Sequence, residues 1–114
     1  MTKARGSAKV KIGGEDYLVF PSLEAIAKTE ADCGFVTIIQ IKQGLAYKSS
    51  QLILIMLKHC LEAAGYPVDE VKGIVKNITP DEIEPIRLVL DAISEPLFPK
   101  KKDEDEAETA SLDL

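Results

Sequence analysis

The chain begins with a strand-like alternation of apolar and polar residues. Ala8, Val10 and Ile12 alternate with lysines, which is typical of a half-buried strand. A Gly-Gly turn follows, and residues 16–20 (DYLVF) supply a partner strand. The pattern predicts an antiparallel β-hairpin.

Two registers fit this hairpin. A two-residue loop, Gly13 and Gly14, would pair Val10 with Tyr17. A three-residue loop, Gly13 to Glu15, would place on one face Ala8, Val10, Ile12, Leu18 and Phe20. Because the second register gives the hairpin a single apolar side, we expect the three-residue loop.

A short helix is predicted after the hairpin. Pro21 ends the strand, Ser22 is placed to cap the helix, and Gly34 suits the left-handed position that closes it. The expected apolar stripe is Leu23, Ile26 and Ala27.

A second short helix is predicted over Phe35–Gln43, and Gly44 is expected to end it. Its apolar residues are more numerous than one helix face needs, so we expect it to be deeply packed. They are Phe35, Ile38, Ile39 and Ile41.

The main helix is expected to begin at a cap formed by Ser49 or Ser50 and to end at Gly65. On a helical wheel its broad apolar face comprises Ile53, Met56, Leu57, Cys60, Leu61 and Ala64. The opposite face holds Gln51, Lys58, His59 and Glu62, with Ile55 in their middle and Leu52 and Leu54 beside it.

Two further helices are predicted. The first covers residues 68–76, and the second starts at Thr79-Pro80-Asp81-Glu82, which supplies a cap, a proline and a capping glutamate. Pro85 conflicts with an uninterrupted helix, so this helix begins near Pro85 or is kinked there. Its buried stripe is expected to be Ile83, Ile86, Val89, Leu90 and Ile93.

Apolar residues among charged neighbours are candidates for binding a partner. They are Leu52 and Ile55, together with nearby His59, on the main helix and Leu88 on the last helix. The alternative is that a neighbouring helix covers this flank of the main helix.

From Lys100 the chain reads KKKDEDEAETASLDL, with three lysines and six acids. So charged a segment is expected to be a disordered tail, either simply solvated or serving in an interaction. We therefore expect a flexible leader (1–7), one domain (8–98) and an acidic tail (99–114). The predicted fold is α+β and mainly α, an N-terminal β-hairpin followed by four to five packed helices.

Composition and charge narrow the function. Hydrophobic residues make up 46% of the chain and aromatic residues only 5%, which favours packed helices with an aliphatic core. The net charge of −5 argues against general affinity for nucleic acid, although it does not exclude a local basic patch. The longest apolar run, Leu52 to Leu57, is far shorter than the ~20 residues of a membrane span.

Catalytic chemistry finds no motif. His59 is the only histidine, and its neighbour Cys60 would point about 100° away on a helix. Cys33 and Cys60 are too far apart in sequence to suggest a metal site, and we expect them to be small buried thiols in a reducing cytoplasm. We predict no catalytic residue, no cofactor and no metal, and thus a protein that is not an enzyme.

The order of elements from residue 8 to residue 65 resembles the tail assembly chaperone-like family of bacteriophages and gene transfer agents, also described as gene transfer agent tail proteins. The resemblance lies in the strand pair around IGGEDYLVFPS and in the helix LEAIAKTEADCG with its terminal glycine. It continues through a short helix to the main helix, which ends in LEAAG.

The resemblance implies a non-enzymatic role in building a phage-type tail in the cytoplasm of a bacterial host. Such a protein is thought to hold the tail tape-measure protein, keep it soluble and help recruit tail-tube subunits. An alternative role within the same family is a structural tail component that stays in the virion. Whether the protein forms a homo-oligomer is left open by the sequence.

A DNA-binding regulator is a second alternative, since a winged helix-turn-helix also combines helices with a hairpin. Its basic residues would be Lys3, Arg5, Lys9 and Lys11. The candidate reading helix at 35–43 carries only Lys42, so nucleic acid is not the expected partner.

Overall fold

The fold is a β-hairpin followed by five helices, seen in a computed structural model that describes residues 7–34 and 37–97. The strands are β1 (Ala8–Ile12) and β2 (Glu15–Val19), and the helices are α1 (Leu23–Asp32), α2 (Ile38–Ala46), α3 (Ser50–Ala63), α4 (Val68–Lys76) and α5 (Ile83–Ser94). The predicted class, α+β and mainly α, is confirmed. The expectations for the leader up to residue 6, for Phe35 and for the tail from residue 98 onward lie outside the described residues.

The hairpin has the two-residue loop, so the expected three-residue loop is wrong. Val10 pairs with Tyr17, and Ile12 pairs with Glu15. Gly13 and Gly14 both have a positive φ, 60° and 86°. A type I′ turn requires this backbone, and its twist matches that of the flanking strands. The preference of the turn therefore outweighs the gathering of apolar residues on one face.

The face of β2 that packs inward changes accordingly. Val19 is buried, while Leu18 and Phe20, which were expected on the inner face with Ile12, are only half-buried. Tyr17 is half-buried on the inner side, and its ring meets the Tyr66 ring edge-on with centroids 5.8 Å apart. The contact with Tyr66, a residue distant in sequence, thus stabilises the orientation of β2 in which Tyr17 faces inward.

Helix α3 is the centre of the core and contacts β2 and the other four helices. It begins as predicted, because the Ser49 hydroxyl accepts a hydrogen bond from the Leu52 backbone N–H at 3.3 Å. Gly65, with φ of 110°, follows its end. The predicted apolar face is confirmed as buried, with Ala64 alone half-buried; the fully buried members are Ile53, Met56, Leu57, Cys60 and Leu61.

Helix α1 has its predicted ends but a different buried stripe. Ser22 caps it, and Gly34 follows it with φ of 89°. Leu23 is 72% exposed, and Ala27 is exposed too, so the expectation that both face the core is wrong. The buried residues are Ala25, Ile26 and Thr29. Thr29 is accommodated because its hydroxyl donates to the Ala25 carbonyl at 2.8 Å.

Helix α2 starts later and runs further than predicted. Thr37 forms a capping box with Gln40, and the helix continues through Gly44 instead of ending there. Gly44 lies against Leu52 of α3: a Cβ placed on this glycine would come within 2.5 Å of Leu52 Cδ2. The glycine therefore serves the close approach of two helices. Ile39 is 48% exposed, so α2 is less deeply packed than expected.

Helix α4 has the predicted bounds, and α5 resolves the conflict at Pro85. A 3₁₀ turn at Pro80–Glu82 precedes α5, and Thr79 forms the predicted capping box with Glu82. Pro85 is then the third residue of α5, where a helical N–H has no partner within the helix. The predicted stripe of α5 packs on the core through Ile83, Ile86, Val89, Leu90 and Ile93.

Candidate binding groove

An apolar groove lies between α3 and α4 and encloses about 340 Å³. Leu54 and Ile55 of α3 line one side, and Val71 and Val75 of α4 line the other. Val71 is buried, while the other three are half-buried and face the open side. We call this site the α3–α4 groove; its full lining is Leu54, Ile55, Lys58, Val71, Lys72, Val75 and Lys76.

Three lysines lie around the apolar floor. Lys58 of α3 is half-buried, and Lys72 and Lys76 of α4 are exposed. The two α4 lysines are one helical turn apart and therefore stand on the same side of α4. The groove is thus locally positive although the whole chain has a net charge of −5. It can accept aliphatic side chains on its floor and carboxylates at its rim.

The sequence-predicted partner residues separate in the structure. Ile55 lines the groove, and Leu88 is 53% exposed on α5, as expected for both. Leu52 is only 7% exposed and His59 only 6%, so the prediction that they face solvent is wrong. Leu52 packs against α2 at Gly44, and His59 against α1 at Asp32. The alternative of a flank covered by neighbouring helices is therefore correct for these two residues.

The lining residues of α4 were not identified from the sequence. The signal was present, because Val71 and Val75 repeat at four residues, as do Lys72 and Lys76. Residues four apart share a helix face, so this double repeat marks an apolar strip bordered by positive charge. It becomes a groove only when α3 lies alongside, which requires tertiary structure.

His59 joins α3 to α1. Its Nε2 lies 2.6 Å from Asp32 Oδ2. Its Nδ1 lies 3.5 Å from Glu62 Oε1, within ion-pair distance, but it makes no hydrogen bond. The hydrogen bond from His59 lowers the pKa of Asp32 below its ordinary value of 3.8, and the charges of His59 and Lys58 act in the same direction. This pair is a structural link between two helices.

The thiols offer no reactive nucleophile. Cys60 is buried next to His59 in sequence, and burial raises its pKa to about 12. A thiol with that pKa stays protonated at neutral pH, whereas the thiolate is the reactive form. Burial also raises the pKa of half-buried Cys33.

Among residues 7–34 and 37–97, no three His, Cys, Asp or Glu side chains are placed to hold a metal ion together. Over the same residues, every helix is too short or too polar to cross a membrane. Comparisons of the chain with models of protein families, with curated proteins and with solved structures give no match.

Proposed function

We propose that this protein is a non-enzymatic tail-assembly protein that holds the tape-measure protein of a phage-type tail. The α3–α4 groove is the observation that carries the binding role. Its floor of Leu54, Ile55, Val71 and Val75 suits the apolar face of an amphipathic helix, which is a common mode of recognition.

The assignment to tail assembly rests on the sequence resemblance over residues 8–65. That resemblance depends on a hairpin, a glycine-ended helix, a short helix and a long central helix in this order. A holding protein needs apolar surface with charge around it, and it needs no catalytic group. The groove supplies such a surface within a fold of the expected class.

In this role the protein keeps the long tape-measure protein soluble in the bacterial cytoplasm and helps to recruit tail-tube subunits. The alternative is a structural component that remains in the tail. Purified particles separate the two roles: a chaperone is absent from them, whereas a structural component is present at a fixed ratio to the tube protein.

Co-expression with the tape-measure protein of the same tail gene cluster tests the proposal. The native chain should be co-purified with it and raise its soluble fraction. Val75→Glu should reduce co-purification about tenfold or more, because a carboxylate on the floor must lose its water to stay in contact with an apolar partner.

Leu88→Glu is the matched control, since it makes a similar change from an apolar to an acidic residue at an exposed position of α5. It should bind as the native chain does. Loss of binding in Leu88→Glu alone would move the binding surface to α5. No association of the native chain at any salt concentration would refute the proposed function.

A further inference from the structure

Two of the three lysines at the rim of the α3–α4 groove form no ion pair in the part of the chain that the structure describes. Lys72 and Lys76 make no ion pair with any of the described residues. Two acids elsewhere already have partners: Glu84 pairs with Arg87, and Asp32 with His59. The rim therefore suits a negatively charged occupant.

The same chain contains a segment of matching chemistry after α5. Residues 103–114 read DEDEAETASLDL, in which five acids precede two leucines and a sixth acid, Asp113, lies between the leucines. Leu112 and Leu114 are two residues apart, so an extended backbone places both on one side and Asp113 on the other. The segment thus combines apolar groups for the floor with carboxylates for the rim.

We propose that residues 103–114 occupy the α3–α4 groove of their own chain. Leu112 and Leu114 cover the apolar floor, and the carboxylates lie beside Lys72 and Lys76. The groove is then a surface that this chain covers by itself when no partner is present.

The segment is long enough to reach. An extended chain spans about 3.3–3.6 Å per residue, so residues 98–111 can cross on the order of 45 Å. Helix α3 has 14 residues, and at about 1.5 Å per residue it is roughly 21 Å long. Both α5 and α4 contact α3, so a linker about twice as long as α3 is sufficient to bring Leu112 and Leu114 from Leu97 to the groove.

Tethering favours this occupant over a separate acidic peptide. A segment joined by a short linker has an effective concentration of about 1 mM. A contact with a Kd of about 1 mM is then half-populated within the chain, although a separate peptide at 1 μM would hardly bind. A partner at about 1 μM must bind about a thousandfold more tightly than the segment to displace it.

Occupancy of the groove by this segment does not depend on the proposed function. Its consequence for tail assembly does: if the groove holds the tape-measure protein, that protein must displace residues 103–114 first. The groove would then be covered by residues 103–114 when no partner is bound and by the partner when one is bound.

Methyl NMR of the full chain tests the inference without any partner. In the native protein, nuclear Overhauser contacts are expected from the Leu112 and Leu114 methyls to those of Ile55 and Val75. Lys72→Glu combined with Lys76→Glu should reduce these contacts about fivefold or more, and so should raised salt, because both weaken the attraction between the carboxylates and the lysines of the rim.

Lys9→Glu combined with Lys11→Glu is the matched control. It changes the net charge equally, but on the exposed outer side of β1, and should leave the contacts intact. Absence of the contacts in the native chain, or their equal loss in both double variants, would overturn the inference. Contacts that arise only between differently labelled molecules would also overturn it, because the groove would then hold the segment of a second copy.

The outcomes separate this inference from the proposed function. Methyl contacts in a chain that never binds the tape-measure protein would retain the inference and remove the proposed function. Binding of the tape-measure protein by a chain that shows no methyl contacts would retain the proposed function and remove the inference.

Discussion

Ile53 and Ile55 are two residues apart in α3, yet they differ in what surrounds them. Ile53 is fully buried, whereas Ile55 is half-buried in the α3–α4 groove. Ile53→Asp should abolish the folded state, because a buried unpaired charge costs about 4 kcal/mol or more, close to the whole stability of a small domain. Ile55→Asp should keep the helical circular dichroism of the native chain and lose partner binding.

Two measurements distinguish the variants. Urea unfolding followed by circular dichroism gives the stability of each, and co-purification with the proposed tape-measure partner gives its binding. Equal destabilisation by both substitutions would show that Ile55 belongs to the core. The α3–α4 groove would then be an unsuitable surface for a partner.

At the residue scale, the helix caps were predicted correctly from the local sequence. Ser22, Ser49 and Thr79 cap helices as expected, because a cap acts on backbone groups two or three residues away. The burial of His59 was missed because its partner Asp32 lies 27 residues earlier in the chain. No local pattern could place these two side chains together.

At the scale of elements, two helical glycines provide a matched comparison. Gly73 in α4 has open space where a Cβ would be, whereas a Cβ at Gly44 in α2 would meet Leu52 at 2.5 Å. Gly73→Ala should stabilise the protein by about 1 kcal/mol, which is the usual gain in helix propensity. Gly44→Ala should be less stable than Gly73→Ala by about 1 kcal/mol or more, because Leu52 must move.

Chemical unfolding of both variants measures this difference. Equal gains would show that Leu52 turns aside without cost and that the approach of α2 to α3 does not require a glycine at position 44.

Two predictions at the scale of elements were wrong, the register of the hairpin and the end of α2, and both depended on the role given to a glycine. The hairpin register was predicted from hydrophobic pairing, but the Gly13-Gly14 dipeptide favours a two-residue type I′ turn. Likewise, a glycine after an apolar run was expected to end α2, although Gly44 allows close packing there. In both cases a glycine had more than one structural use, and the sequence pattern alone did not distinguish them.

At the scale of the whole molecule, stability should depend on pH through the link between α1 and α3. The folded-state pKa of Asp32 is lowered by its hydrogen bond with His59. A lowered carboxyl pKa stabilises the fold above the unfolded pKa, and this contribution is lost as the pH falls through the folded value. Asp32→Asn should therefore unfold at a lower temperature than the native chain at neutral pH, and the difference should shrink below pH 3.8.

Thermal unfolding across this acid range checks the expectation, with Asp16→Asn as a control at an exposed carboxyl of β2. A temperature difference between native and Asp32→Asn that stays constant through the acid range would show that the Asp32 carboxylate contributes nothing to stability through its hydrogen bond with His59.

At the scale of the whole molecule, the α3–α4 groove was harder to predict from the sequence than the fold. The order of strands and helices follows from periodicity and turn residues, which are local properties. The α3–α4 groove needs two helices side by side, and its positive rim is hidden in a net charge of −5. Lys58 and Lys72 stand out only once α3 and α4 are adjacent.

The Glu82 carboxylate also joins the two ends of the domain. It accepts a hydrogen bond from the Gly13 backbone N–H at 2.8 Å, and Val10 of β1 lies with Ile86 of α5 beside it. During synthesis on the ribosome the hairpin emerges before α5, the helix that covers it. A nascent chain that stops before α5 therefore leaves Val10 uncovered, and the domain can complete its fold only after α5 has emerged.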